Sequence, residues 1–148
     1  SKSFISSTFW SERIGYVAGC KTLETMKKEK SWEYISKLGK ELKEDWINLG
    51  KKYELPIEIN GIDALPSFYI KSKKFLEYKT FISQEMLKQN YLCSTAVYIS
   101  TAHNRKILKD YIKKIDKVFL KIKECEDGKS IKKLLDGPVC RSQFKRLN

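Results

Sequence analysis

Between Ile107 and Ile122 the apolar residues Ile107, Leu108, Tyr111, Ile112, Ile115, Val118, Phe119 and Ile122 recur three and four positions apart, with lysines filling most of the gaps. A repeat near 3.6 residues brings all of these side chains to one side of an α-helix, which no strand would do. A helix with one apolar face has to bury it, so the rest of the chain must supply the elements that cover it. Asn104, immediately ahead of the stripe, is the expected N-cap.

Other segments supply those elements. Apolar residues at Ile14, Val17, Ala18, Leu23 and Met26 predict a helix that starts near Ser11 or Glu12 and closes at the run Lys27 to Lys30. Ser31 is the expected cap of a longer helix whose stripe is Trp32, Ile35, Leu38, Leu42, Trp46, Leu49 and Tyr53, with Gly39 inside it. Gly39 costs that helix about 1 kcal/mol against alanine, which a packed stripe overrides or a close contact explains. Ile57-Glu58-Ile59-Asn60-Gly61 and Pro66-Ser67-Phe68-Tyr69-Ile70 read as two short strands, close enough to pair antiparallel across residues 61–65. Phe75, Tyr78, Ile82 and Met86 predict a helix over about 73–90, and the β-branched and aromatic run from Cys93 to Ser100 predicts a third strand. A short helix over Ser130 to Leu135 precedes an irregular tail from Val139. The order helix, helix, strand, strand, helix, strand, helix, short helix gives an α/β chain of the α+β two-layer type, a small sheet covered by helices.

The 148 residues suit one domain, which begins near Ser31, and the first helix is expected to pack against something outside the chain. The 41% hydrophobic and 12% aromatic content is enough for a core, so the chain is expected to be globular rather than disordered. No apolar run approaches the roughly 20 residues of a membrane span. Cys20, Cys93, Cys125 and Cys140 form no CxxC pair and have only His103 as an imidazole companion, so no metal site is expected and a reducing cytoplasm is the expected setting. Thirty Lys and Arg against eighteen Asp and Glu leave a net charge of +12. That excess keeps a basic nucleic-acid-binding module open as the alternative function, but the basic residues are spread over every helix among acids and apolar residues, as a solvated lysine surface would be. The start at Ser1, without methionine and directly in a hydroxyl-rich stretch, is read as the end of a longer polypeptide.

Three blocks carry a family resemblance. Phe4-Ile5-Ser6-Ser7-Thr8-Phe9-Trp10-Ser11-Glu12-Arg13-Ile14-Gly15 resembles the class III pyridoxal-phosphate (PLP)-dependent aminotransferases, in which a Ser-Thr or Gly-Thr pair precedes the helix leading to the small domain. Ser94-Thr95-Ala96-Val97-Tyr98-Ile99-Ser100-Thr101-Ala102-His103 resembles the strand that ends in an Ala-His pair before the family's penultimate long helix. The end of the chain, from Leu134-Leu135-Asp136-Gly137-Pro138 to Phe144-Lys145-Arg146-Leu147-Asn148, is similar to the C-terminal signature of a subgroup close to glutamate-1-semialdehyde aminomutase. Where many members have Gly-Asn-Pro after the Thr-Phe pair, this chain has Trp10-Ser11-Glu12-Arg13, which also points to a subgroup.

The resemblance implies the C-terminal small domain of a fold-type I PLP-dependent transferase, with residues 1–30 as loop and helix linking from a large domain and 31–148 as the small domain. It implies a cytoplasmic homodimer that acts on an amino donor and a keto or aldehyde acceptor. Ser7 and Thr8 are the cofactor-binding residues it implies, contacting the phosphate of PLP held mainly by the other subunit. Hydroxyls and free N–H groups ahead of a helix suit a dianionic phosphate; read without the resemblance, the same cluster is a helix N-cap and entry loop. The family's catalytic lysine and the Asp facing the pyridinium lie upstream, and none of the 30 basic residues stands in the lysine motif, so this chain carries no catalytic residue and is expected to be inactive alone. Arg13 is either a carboxylate or partner-subunit contact or, preferably, an ion-pairing residue at a helix start. His103 reads as a structural hydrogen-bonder before an acid or base, and the aromatic stripe with Trp32 and Trp46 reads as core.

Overall fold

The computed structural model describes residues 12–141. In chain order its elements are α1 (Arg13–Glu29), α2 (Ser31–Lys52), β1 (Ile57–Asn60), β2 (Ser67–Ile70), α3 (Phe75–Leu87), α4 (Arg105–Glu126) and a 3-10 turn at Ile131–Leu134. The chain divides into two compact units, Ser1–Glu33 and Tyr34–Asn148.

In the first unit, α1 starts where the periodicity places it, and Glu12 holds the N-cap position in extended backbone without a side-chain capping bond. Ser11, the other expected start of this helix, lies outside the described residues. None of the residues of α1 is buried, and Ile14, Val17 and Leu23 are exposed. Lys30, in left-handed backbone, ends the helix by donating its N–H to Met26 O.

The second unit is built around α4. Its stripe is the buried face, with Leu108, Tyr111, Ile115, Val118, Phe119, Ile122 and Cys125 all inside. Leu38, Leu42, Trp46 and Leu49 of α2, Phe68 and Ile70 of β2, and Tyr78, Phe81, Ile82 and Met86 of α3 complete one core cluster. Each such side chain stabilises the fold by about 1.5–3 kcal/mol. The Phe68 ring sits between Trp46 (centroids 4.8 Å apart) and Phe119 (5.6 Å), joining sheet to both long helices. Trp32 does not share this fate: it is 44% exposed. It occupies the first turn of α2, ahead of Leu38, where the buried part of the stripe begins.

β1 and β2 pair antiparallel, with Ile57 opposite Ile70 and Ile59 opposite Phe68. The apolar partners face the core while Glu58 and Tyr69 form an outward pair. The expected third strand does not form. Only Ala96 makes a bridge, to Ser67, although Thr95 O accepts from Phe68 N (2.9 Å), and the N–H groups of Val97 and Ile99 reach Pro66 O (3.0 Å) and Ala64 O (3.2 Å). Pro66 has no N–H to return, so the ladder stays open on that side and the segment runs beside the sheet as extended coil. The architecture is therefore α+β, with helices over a two-stranded sheet.

Two side-chain networks fix the remaining loops. Ser72 Oγ donates to Glu126 Oε1 (2.8 Å), Tyr78 also donates its hydroxyl to Glu126, and Lys74 Nζ reaches Cys125 O (2.8 Å), so the start of α3 is tied to the end of α4. Burial works against the Glu126 charge, but the hydrogen bonds from Tyr78 and Ser72 prevail and hold the carboxyl below its ordinary range. Gln84 of α3 donates to Leu134 O and accepts from Asp136 N–H, both at 2.8 Å, and holds the segment after the 3-10 turn.

Candidate functional site

The segment that fails to become a strand instead borders a cavity of about 270 Å3. One wall is Tyr91, Cys93, Ala96 and Val97; the other is Ile107, Leu108 and Tyr111 from the first turns of α4, with His103 between them. Leu92, 99% exposed, and Tyr98, 76% exposed, stand at its rim.

Local sequence explains how these groups meet. Asn104 Oδ1 accepts from Ile107 N–H at 3.0 Å, the expected cap, and its extended backbone turns the chain into α4. That places His103 at the helix entrance. The N–H of Ser100 donates to His103 Nδ1 (3.0 Å), the N–H of His103 donates to Ser100 O (3.1 Å), and the Tyr34 hydroxyl donates to His103 O (2.8 Å). Because a backbone N–H can only donate, Nδ1 is an acceptor and the ring carries its proton on Nε2. His103 is thus the structural hydrogen-bonder expected from the sequence, with the Nε2 edge of its ring left as a donor.

Three other polar groups of the cavity, Cys93, Tyr91 and Tyr111, are held protonated. Burial pushes the Cys93 thiol up to about 11, and the thiol donates to Ser94 O at 3.1 Å. Burial, then the neighbouring Asp110, pushes the Tyr91 phenol up to about 12; its hydroxyl donates to Asp110 Oδ2 at 2.8 Å. Tyr111 is buried, which raises its phenol far above the ordinary value, and its oxygen accepts from Trp46 Nε1 at 3.1 Å. Tyr91, Cys93 and Tyr111 are therefore neutral at neutral pH, and no Lys, Arg, Asp or Glu is among the lining residues.

A second, shallower groove of about 470 Å3 lies between α2 and α4, lined by Glu41, Glu44, Asp45, Arg105, Leu108 and Lys109. Two of its charges are spent on one another. Arg105 grips Glu41 through two bonds, at 3.0 and 2.6 Å, and holds that carboxyl below its usual range, whereas burial and the adjacent Glu41 and Glu44 push Asp45 up.

Ser7 and Thr8, the expected phosphate contacts, lie outside the described residues. Arg13 is the exposed first residue of α1. Among the described residues no group of three His, Cys, Asp or Glu side chains is placed to hold a metal, and no helix is long and apolar enough to cross a membrane. The cavity residues Tyr91, Cys93, Tyr98 and Tyr111 were not legible as a site, since the first three sit in a run with strand composition or at its edge and Tyr111 belongs to a helical core stripe.

No protein-family model and no curated protein matches the sequence. Solved structures do. The FumI protein of Sphingopyxis sp. MTA144, in its PLP internal aldimine form, superposes with a TM-score of 0.73 at 14% identity, over 90% of this chain and 33% of that one. An omega-transaminase from Sphaerobacter thermophilus gives a TM-score of 0.70 at 11% identity, over 82% of this chain and 31% of that one. The chain has the fold of one part of these enzymes. It spans about a third of the length of each.

Proposed function

We propose that the chain is the C-terminal part of a class III PLP-dependent aminotransferase, of the subgroup near glutamate-1-semialdehyde aminomutase. The observation that carries this reading is the agreement of two independent likenesses: a superposition covering 90% of the chain on a third of a PLP enzyme, and sequence blocks that resemble the same family at both ends and in the middle. In this reading α1 connects to a preceding cofactor-binding domain, and its exposed Ile14, Val17 and Leu23 are covered by that domain.

The donor chemistry ahead of α1 fits the cofactor's phosphate. Ser7 and Thr8 supply short hydroxyl donors just before a helix whose N-cap, Glu12, makes no side-chain bond to the first-turn N–H groups. PLP, when bound, supplies the electron sink for charge developing at the substrate Cα. The chain's own work is to orient the phosphate through Ser7 and Thr8 and to place a rigid small domain over the substrate, which excludes water. The Schiff-base lysine is assigned to the preceding part of the polypeptide, and the intact protein to a homodimer that takes an amino donor and a keto or aldehyde acceptor.

Borohydride reduction of the intact gene product with PLP tests the assignment. Covalent pyridoxyl label on a lysine preceding Ser1 is expected, with none on the 148 residues of this chain. An intact product that takes up no label overturns the enzyme reading. Thr8→Val in the labelled protein is expected to weaken PLP retention at least tenfold, as loss of a charge-assisted hydrogen bond would; unchanged retention removes Thr8 from the site.

A further inference from the structure

The extended segment beside β2 turns an apolar row outward, which the two strands do not. Ala96 bridges Ser67, which shares the outward face of β2 with Tyr69, so Ala96 points away from the helices as well. Counted by twos from Ala96, Leu92, Ser94 and Tyr98 fall on that outward side, and Cys93, Thr95, Val97 and Ile99 on the inward one. Exposure follows the same alternation: Thr95 and Ile99 are buried, whereas Leu92 is 99% and Tyr98 76% exposed.

β1 and β2 send Glu58, Asn60, Ser67 and Tyr69 outward, a mostly polar set that suits a sheet face in water. The neighbouring segment sends out a leucine, an alanine and a tyrosine instead. Leu92 and Tyr98 border one cavity together with the half-buried Val97 and Ile107, so their surfaces join into a single apolar patch rather than standing singly. No charged side chain is among the residues that line it. Such a surface matches an apolar partner and disfavours one that would bury a charge there.

The chain spans 33% of FumI and 31% of the omega-transaminase that share its fold, so about two thirds of a polypeptide of that length lies outside it. A body of that size on the same chain meets the patch at a high effective concentration, which favours it over a second copy or a foreign protein. We propose that the outward row Leu92, Ala96 and Tyr98 is the surface by which this domain docks on the part of its own polypeptide that precedes Ser1. The proposal rests on the transaminase reading for the existence of that preceding part. In the intact protein Leu92 and Tyr98 are buried, and the cavity between residues 91–98 and the start of α4 is closed from water.

The test uses the intact gene product with photoreactive p-benzoylphenylalanine in place of Leu92. Irradiation is expected to join position 92 to a residue preceding Ser1, leaving the mass of the denatured chain unchanged. A product of twice that mass assigns the patch to a second copy and overturns the proposal, and so does a probe that forms no cross-link. Leu92→Glu gives a second reading. Because Leu92 is 99% exposed, the replacement disturbs nothing within this chain, and any loss of stability comes from what lies against it. The thermal midpoint of the intact product is expected to fall by a few degrees with Leu92→Glu and to stay in place with Tyr98→Phe, which keeps the apolar ring. A Leu92→Glu midpoint equal to the parent's overturns the proposal. Borohydride reduction keeps the two readings apart. An intact product that takes up no label but cross-links within one chain loses the transaminase reading and keeps the docking surface; one that labels without cross-linking loses the docking surface alone.

Discussion

Gly39 of α2 faces the carbonyl of Asp63 so closely that a Cβ at position 39 would lie 1.6 Å from the Asp63 oxygen. One turn further along the same face, Lys43 Nζ donates to Gly61 O at 2.7 Å and to Asp63 Oδ1 at 2.8 Å. The turn between the two strands is therefore clamped onto α2 by one residue that has no side chain and one that has a long one. Gly61, at φ +79°, makes the corner itself possible.

Gly39→Ala is expected to destabilise the fold even though alanine is the better helix former. The contact is with backbone, which cannot rotate aside, so overpacking of about 3 kcal/mol outweighs the propensity gain of about 1 kcal/mol. A urea midpoint lowered by about 2 kcal/mol of stability, with the slope unchanged, is the expected result. A midpoint that rises instead means the turn moves freely away from α2.

Glu85 gives the fold a pH dependence in acid. Burial opposes its charge, but hydrogen bonds from Lys88 (2.9 Å), Gln84 (3.1 Å) and Lys121 (3.1 Å) overcome that and bring its carboxyl down to about 2. In the unfolded chain the group titrates near 4.3, as a rough reference. A folded value below the unfolded one means that the folded state holds the charged form more tightly. The contribution is therefore complete above about pH 4.3 and disappears as the pH falls towards 2. Glu85→Gln is expected to cost about 1 kcal/mol at pH 7 and nothing near pH 2, so urea melts of the two chains at pH 7, 4 and 2.5 are expected to converge in acid. Parallel curves would show that the carboxylate is not what Lys88 and Lys121 stabilise.

The Asn104 cap offers a local test of the entrance to the cavity. Its Oδ1 satisfies Ile107 N–H at 3.0 Å, and Ile107 is a cavity wall. Asn104→Ala is expected to lose about 1 kcal/mol, whereas Asn104→Asp, which keeps an acceptor and adds charge at the positive end of the helix, is expected to lose nothing. Equal thermal midpoints for the two variants would rule out the side-chain cap as the source of the effect.

Much of this molecule could be read from spacing because its helices are long and one-sided. The stripe from Ile107 to Ile122 and the one from Leu38 to Leu49 have only one burial solution, and Asn104 is a cap by chemistry as well as by position. The failures are local. Cys93 to Ser100 has strand composition, yet whether an extended segment completes a ladder depends on the N–H inventory of its neighbour, and Pro66 withholds one. Trp32 has the right phase but stands in the first turn of α2, before the buried part of the stripe. Tyr111 looked like any other core residue in the α4 stripe, because periodicity reports which side chains face inward and not that its hydroxyl meets Trp46 Nε1. Ser7 and Thr8 were picked out by family likeness, and spacing alone left them a helix entry loop.

Three of the four thiols should separate by reactivity in a way that checks the cavity. Burial pushes Cys93 up to about 11, and Cys125 is also raised by burial, whereas Cys20 is exposed on α1. Alkylation proceeds through the thiolate and needs access. At pH 8 iodoacetamide is therefore expected to modify Cys20 first, with Cys93 at least about a hundredfold slower, since a pKa near 11 leaves roughly one thiol in a thousand ionised at that pH. Raising the pH to 9.5 is expected to accelerate Cys93 steeply, because its thiolate fraction still grows almost tenfold per unit there. Peptide mapping of the labelled sites gives both rates. If Cys93 keeps pace with Cys20 at pH 8, its sulfur lies in water and the wall it shares with Tyr111 is open.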